Sequence, residues 1–72
     1  MNKINIAFIC DSNYALPTRT AVNSVIRNKK TNTKLHIYII AVDLTTNEVK
    51  NFEKMAEENV EISVIEKSNI FS

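Results

Sequence analysis

The stretch that decides the fold is INIAFICDSNYA, residues 4–15. Its apolar part predicts a β-strand over residues 3–10, and the strand runs directly into the polar cluster Asp11, Asn13 and Tyr14. In an open parallel sheet, ligands bind in the crevice beyond the carboxyl ends of the strands. The sequence therefore predicts a ligand site at this strand end, with most of the remaining chain serving as scaffold.

Two helices and two more strands are predicted after the first strand. In chain order they are a helix over residues 17–29, a strand over 34–42, a helix from a Thr45 N-cap to about Glu58, and a strand over 60–65. Pro17 fits the first helical position, where a missing N–H costs nothing. Thr45 and Glu48 match a capping box. Buried helix stripes are predicted at Ala21, Val22, Val25 and Ile26 and at Val49, Phe52, Met55 and Ala56.

The order strand, helix, strand, helix, strand predicts an α/β fold. Each connection exceeds the dozen residues that a parallel crossover needs, and right-handed crossovers place both helices on one face of a parallel sheet. This is a β-α-β-α-β half of a Rossmann-like, doubly wound sheet. The strands over 3–10 and 34–42 are apolar on both faces, whereas the strand over 60–65 alternates like an edge strand. We therefore expect more protein to cover the second face of the sheet.

Composition limits the class of protein. Seventy-two residues make at most one small domain, and 44% hydrophobic residues with a net charge of +1 are typical of a folded chain. The balance of 9 basic and 8 acidic residues argues against a charge-driven nucleic-acid surface. No apolar run approaches the ~20 residues of a membrane span, and no cleavable signal sequence is recognisable, so we expect a cytoplasmic location or the cytoplasmic face of a membrane.

Two residue types exclude further classes. The single cysteine, Cys10, excludes an internal disulfide and is predicted to be a buried apolar residue. The chain contains no glycine, which excludes both the P-loop and the G-x-G-x-x-G motif. A ligand beyond the first strand must then be held by side chains and ordinary backbone amides.

The polar cluster suits a uridine. A tyrosine ring offers a stacking surface for a base, and a carboxylate only accepts hydrogen bonds, so Asp11 favours uracil, whose N3 is a donor, over cytosine, whose N3 is an acceptor. The Asn13 amide has donors and an acceptor for base carbonyls or ribose hydroxyls. The same residue types are also common turn formers at strand ends. A uridine pocket and plain turn chemistry both remain open at this point.

The segment IAFICDSNYA, residues 6–15, resembles the opening of the family 8 glycosyltransferases. These retaining enzymes include glycogenin and the bacterial lipopolysaccharide galactosyl- and glucosyltransferases. The resemblance continues in register through residues 21–29, 35–40, 43–48 and 60–65 and so covers nearly the whole chain. The first motif is fairly specific, whereas the later segments would fit many α/β proteins.

The resemblance implies a GT-A fold, a UDP-sugar donor and Mn²⁺ as the family's metal. Carried over by residue, it implies that the backbone at Ile9 and the side chains of Asp11, Asn13 and Tyr14 hold the uridine, with Tyr14 stacked on the uracil. Ser12 is a weaker UDP-binding candidate, because the family often carries a second acid there. The implied function is the UDP-binding portion of a retaining glycosyltransferase that transfers a hexose to a glycan or lipopolysaccharide acceptor.

One departure from the family pattern limits what this chain is expected to do. The family's metal site is a D-x-D motif after a later strand, completed by a histidine, and no D-x-D occurs here. The only histidine, His36, lies near the start of the second strand, away from the crevice, and is interpreted as structural. Asp43 is interpreted as a loop residue before the Thr45 cap. We therefore expect residues 1–72 to be a truncated N-terminal nucleotide-binding subdomain without catalytic or metal-binding residues, which binds UDP weakly and is inactive alone.

Two other functions compete with this interpretation. One is a small non-enzymatic α/β interaction module. The other is a phosphoacceptor receiver built on Asp11, which the chain is too short to complete. Because the first strand would lack its usual neighbour, we also expect self-association through residues 3–10 or through the uncovered sheet face.

Overall fold

The computed structural model describes residues 2–66 as three strands and two α-helices. They are β1 (Lys3–Asp11), α1 (Ala15–Asn28), β2 (Lys34–Val42), α2 (Thr46–Glu53) and β3 (Val60–Glu66), and a short 3-10 helix, Ser12–Tyr14, joins β1 to α1. The predicted α/β class is confirmed, and each predicted strand agrees with the structure to within one residue. Met1 and residues 67–72, which belong to the predicted subdomain, lie outside the described residues.

The sheet is parallel, with β2 between β1 and β3. The register aligns Ile6 of β1 with Ile37 of β2, and Ile37 with Ile62 of β3. All three strands run in the same direction, so their carboxyl ends share one edge of the sheet. Asp11 and Val42 are partners at that edge, which is the edge predicted to hold the ligand site.

Both helices pack on one face of the sheet, as predicted. Val22 of α1, Phe52 of α2 and Ile37 of β2 are fully buried members of the same hydrophobic cluster. The prediction of the helix stripes is wrong at Ala21 and Ala56, which are exposed. In α1 the stripe instead runs through Thr18, Val22, Val25 and Ile26, which lie on one side of a helix with 3.6 residues per turn. Ala56 lies beyond the end of α2.

The helix boundaries differ from the prediction for local reasons. Helix α1 begins at Ala15 rather than Pro17 because the 3-10 helix leads straight into it, and Pro17 still lies in the first turn, where backbone N–H groups need no helical partner. Helix α2 ends at Glu53 rather than near Glu58. The chain then turns back through a short bridge between Glu57 and Val60, with Asn59 at a positive φ of 65°, a conformation that asparagine tolerates.

The second face of the sheet is open within the described residues. Ile9 is 75% exposed and Ile65 is 37% exposed on this face, although both are large apolar side chains. The expectation of two apolar faces holds only in part, because the open face also carries the polar residues Asn5, His36 and Ser63. Among residues 2–66, no helix is both long enough and apolar enough to cross a membrane.

Candidate functional site

The candidate site lies where β1 ends and the 3-10 helix begins. Asp11 closes the strand in an extended conformation, and its carboxylate oxygen Oδ1 accepts a hydrogen bond of 3.1 Å from the Tyr14 backbone N–H. Asp11 is therefore the cap of the 3-10 helix, so turn chemistry accounts for one of its oxygens. Within the described chain no protein group donates to the other oxygen, Oδ2, which leaves it available to a ligand.

The single turn brings the predicted residues together. Asn13 and Tyr14 are both exposed, and the Tyr14 side chain is 63% exposed. A tyrosine this exposed adds little to the core, and its ring is free to stack on a flat ligand. The structure therefore places an acceptor oxygen, an amide and an aromatic ring within four consecutive residues at the carboxyl edge of the sheet.

Ile9 contributes its backbone at the same edge. The Lys34 N–H donates to the Asn2 carbonyl, so the even-numbered residues of β1 direct their backbone groups toward β2. The backbone groups of successive strand residues point in opposite directions. The N–H and C=O of Ile9 therefore point away from β2, toward the outer edge of β1, where no described strand pairs with them. They supply one donor and one acceptor beside Asp11.

Ser12 connects the site to α2. Its hydroxyl lies 2.9 Å from Oε1 of Glu48 and 3.2 Å from the carbonyl oxygen of Asp43, and its one proton can serve one of these acceptors at a time. Asp43 lies in the loop after β2 with a positive φ of 57°, which agrees with its interpretation as a loop residue. The structure thus gives Ser12 a structural contact, and its contact with UDP stays a prediction.

The Glu48 carboxylate accepts hydrogen bonds from both Ser12 and Thr45, and so joins the site to the start of α2. Its Oε1 accepts from the Thr45 N–H at 2.8 Å, while its own N–H donates to Thr45 Oγ1 at 3.1 Å, so the predicted capping box is present. The Thr45 backbone N–H, followed by the Ser12 hydroxyl, holds the pKa of the Glu48 carboxyl below its usual value of 4.5, although desolvation acts in the opposite direction. The sequence identified the cap but contained no local signal for the Ser12 contact, which joins residues far apart in the chain.

His36 lies in a second polar cluster on the open face of the sheet. Its Nε2 is 2.8 Å from Ser63 Oγ, its Nδ1 is 3.5 Å from Glu61 Oε2, and its ring stacks on Tyr38 with centroids 4.1 Å apart. The order acid, imidazole, hydroxyl has the connectivity of a nucleophilic triad. Acyl transfer also needs N–H donors aimed at the oxyanion. The Leu35 N–H donates to the Asn59 carbonyl, so the odd-numbered residues of β3, Ser63 included, direct their N–H groups into the ladder with β2. The cluster therefore fits a structural role for His36.

Metal binding is not supported by the described part of the chain. Residues 2–66 contain no group of three or more His, Cys, Asp or Glu side chains placed to hold a metal ion. Cys10 is 1% exposed, as predicted, and its thiol donates to the Asp11 carbonyl at 3.3 Å. The carboxylate of Asp43 and that of Glu66 border the same shallow depression, which is too sparse in ligands for a metal site.

The family model of glycosyl transferase family 8 matches residues 5–72. The chain belongs to glycosyl transferase family 8. By family it is therefore a glycosyltransferase, and the alternative of a non-enzymatic interaction module is not favoured. No curated protein and no solved structure matches the chain significantly. The strand end that carries Ile9, Asp11, Ser12, Asn13 and Tyr14 lies inside the range matched by this glycosyltransferase family.

Proposed function

We propose that residues 9–14 form the uridine-binding part of a glycosyltransferase that uses a UDP-sugar as donor. The observation that carries this proposal is the geometry of the 3-10 helix. The turn holds Asp11, whose Oδ2 has no partner among the described residues, and the exposed Tyr14 within four residues, at the sheet edge where parallel α/β folds bind ligands. Family membership supplies the reaction class, and the side chains supply the base preference.

The hydrogen-bonding pattern of the site is complementary to uracil. Uracil presents two carbonyl acceptors with an N3–H donor between them. The Asp11 carboxylate and the Ile9 carbonyl are acceptors for N3–H, and the Ile9 N–H is a donor for a neighbouring carbonyl. Cytosine offers an acceptor at N3, which would face a carboxylate that cannot donate. Stacking on Tyr14 contributes about 1–3 kcal/mol and does not discriminate between the two bases.

The chemistry of transfer is proposed from the family alone. The proposed reaction moves a hexose, with retention, from the UDP-sugar to a glycan or lipopolysaccharide acceptor. The family's Mn²⁺ has no fitting ligand set among residues 2–66, so we assign no step and no residue to it. We expect the 72-residue chain to show no hydrolysis or transfer of a UDP-sugar in the presence of Mn²⁺, and robust turnover by a purified sample would contradict this. A cytoplasmic location stays a prediction.

Nucleotide titration followed by NMR tests the binding proposal. UMP and UDP are expected to shift the amide signals of residues 9–14, with weak affinity, and CMP is expected to shift them less at equal concentration. Uridine without phosphate serves as a control, since it retains the base and ribose contacts. Equal responses to UMP and CMP, or shifts confined to residues outside the 3-10 helix and the end of β1, would refute the pocket.

A further inference from the structure

One side chain connects the 3-10 helix of the candidate site to the neighbouring loop and helix. None of the residues Ser12–Tyr14 is buried, so packing contributes little to the orientation of this turn. The hydrogen bond from the Tyr14 N–H to Asp11 is local to the turn. Among residues 2–66, the side-chain hydrogen bonds that join the turn to a distant segment are both made by Ser12, to Asp43 and to Glu48. The orientation of the turn therefore depends on the Ser12 hydroxyl.

The geometry of a 3-10 helix decides which way its three side chains point. With three residues per turn, successive side chains are separated by about 120° around the helix axis. Ser12 points toward α2, because its hydroxyl lies 2.9 Å from Glu48 Oε1. Asn13 and Tyr14 then point to the other two sides of the turn, and both are exposed there. The direction of Ser12 thus sets the directions of two side chains that are proposed to bind the nucleotide.

The register of the sheet explains why Ser12 meets Glu48. Asp11 and Val42 are partners at the ends of β1 and β2, so Ser12 and Asp43 are the first residues beyond two adjacent strand ends. The Thr45 N-cap of α2 follows shortly after Asp43. The capping box folds the Glu48 carboxylate back toward the Thr45 N–H, which brings the same oxygen, Oε1, within reach of the Ser12 hydroxyl.

We propose that Ser12 and Glu48 are positioning residues of the nucleotide site, and that their hydrogen bond holds the 3-10 helix in the orientation that binds the nucleotide. This inference rests on the proposed function, because it concerns the same site. The pKa of Glu48 lies below its usual value of 4.5, so the carboxyl group is ionised at neutral pH. The Ser12 hydroxyl therefore donates to a charged acceptor, which makes a stronger hydrogen bond than a neutral one.

Loss of the Ser12–Glu48 hydrogen bond should weaken nucleotide binding more than it weakens the fold. Without this bond the turn can adopt other orientations, and the apparent affinity falls in proportion to the fraction of molecules that keep the binding orientation. A single solvent-exposed hydrogen bond shifts such an equilibrium modestly, so we expect the affinity for UMP to fall about three- to tenfold. Because the bond is exposed, the thermal stability of the chain should change little.

Glu48→Asp tests the contact in the ligand-free chain. Aspartate keeps the charge and is compatible with a capping box, but its side chain is one methylene shorter and cannot reach both the Thr45 N–H and Ser12. Glu48 is distant in sequence from Ser12–Tyr14, so a change in the amide NMR signals of the turn reports the contact between them. We expect these signals to shift in Glu48→Asp and to stay unchanged in Glu53→Asp, the matched control at an exposed glutamate of the same helix.

Titration of the 72-residue chain with UMP tests the positioning role. Ser12→Ala and Glu48→Asp should each lower the affinity about three- to tenfold, and the double variant should be no weaker than the weaker single variant, because both substitutions remove the same bond. Glu48→Gln should retain most of the affinity, since its side-chain oxygen can accept from both Thr45 and Ser12. Glu53→Asp should bind UMP like the wild type.

The two measurements separate this proposal from the proposed function. A loss of affinity in Ser12→Ala but not in Glu48→Asp would show that Ser12 contacts the nucleotide directly, and would overturn the positioning role. Additive losses in the double variant, or unchanged turn signals in ligand-free Glu48→Asp, would overturn it as well. Normal UMP binding with unaltered affinity in both single variants would overturn the positioning role alone, whereas a wild-type chain that binds no UMP would overturn the proposed function and this inference with it.

Discussion

Replacing Asp11 by asparagine separates the two roles that the structure gives this side chain. Oδ1 accepts the hydrogen bond from the Tyr14 N–H, and an asparagine side-chain oxygen can accept the same bond. Asparagine and aspartate are about equally good caps, so we expect the 3-10 helix and the stability of the fold to be retained in Asp11→Asn. What changes is the atom that faces the ligand, because an NH₂ donor replaces the acceptor Oδ2.

The size of the effect follows from the lost hydrogen bond. A hydrogen bond to a charged group contributes about 1.5–3 kcal/mol, and each 1.4 kcal/mol corresponds to about a tenfold change in affinity. Asp11 is only half-buried and the neighbouring Tyr14 is exposed, so the lower end of this range applies. We expect the affinity for UMP to fall about tenfold. The affinity for CMP should rise relative to UMP, since the new amide donor can bond to the N3 of cytosine.

The assay is a parallel NMR titration of three proteins with UMP and CMP. Asp43→Asn is the matched control, because Asp43 is an exposed carboxylate at the same edge of the sheet and asparagine tolerates its positive φ of 57°. The control should behave like the wild type. If Asp11→Asn folds normally and keeps the wild-type preference for UMP over CMP, the assignment of the carboxylate to the base is wrong. An equal loss of UMP affinity in Asp43→Asn would show that the effect comes from the change in net charge and not from a contact between Asp11 and the base.

Three further predictions concern the ring, the core and the cap. Tyr14→Ala should lose about 1–3 kcal/mol of nucleotide binding with little change in thermal stability, whereas Tyr14→Phe should retain binding, and a loss of binding in both would contradict stacking. Phe52→Ala removes a side chain that is 0% exposed and should cost about 3–5 kcal/mol in urea unfolding, a large share of the ~4–11 kcal/mol expected for a chain of this size. Because the pKa of Glu48 is lower in the folded than in the unfolded chain, its contribution to stability is present above the unfolded pKa and is lost as the pH falls through the folded pKa. Glu48→Gln should therefore make acid unfolding less steep below about pH 4.5, whereas Glu53→Gln, outside the capping box, should not.

Most of the fold could be predicted because local pattern and chain topology point to the same structure. The apolar runs located the three strands, the connections were long enough for parallel pairing, and the chirality of crossovers placed both helices on one face. The Thr45–Glu48 capping box located the start of α2. The end of α2 could not be located in the same way, because the charged residues that follow Glu53 are compatible with a helix and the bridge between Glu57 and Val60 forms only when β3 is in place.

In the candidate site, too, local features could be predicted from the sequence and contacts between distant segments could not. The order of Asp11, Asn13 and Tyr14 in the sequence was enough to place them together at the end of a strand, because they belong to one turn. The sequence could not show that Asp11 uses one oxygen to cap that turn, that Ser12 reaches Glu48, or that His36 meets Ser63. The last two contacts join residues separated by 36 and 27 positions, and they exist only because parallel strands bring distant segments side by side. The sequence pattern predicts which residues are buried in strands and helices and where the turns lie. The partners of a polar side chain depend on the register between strands, and only the tertiary structure defines that register.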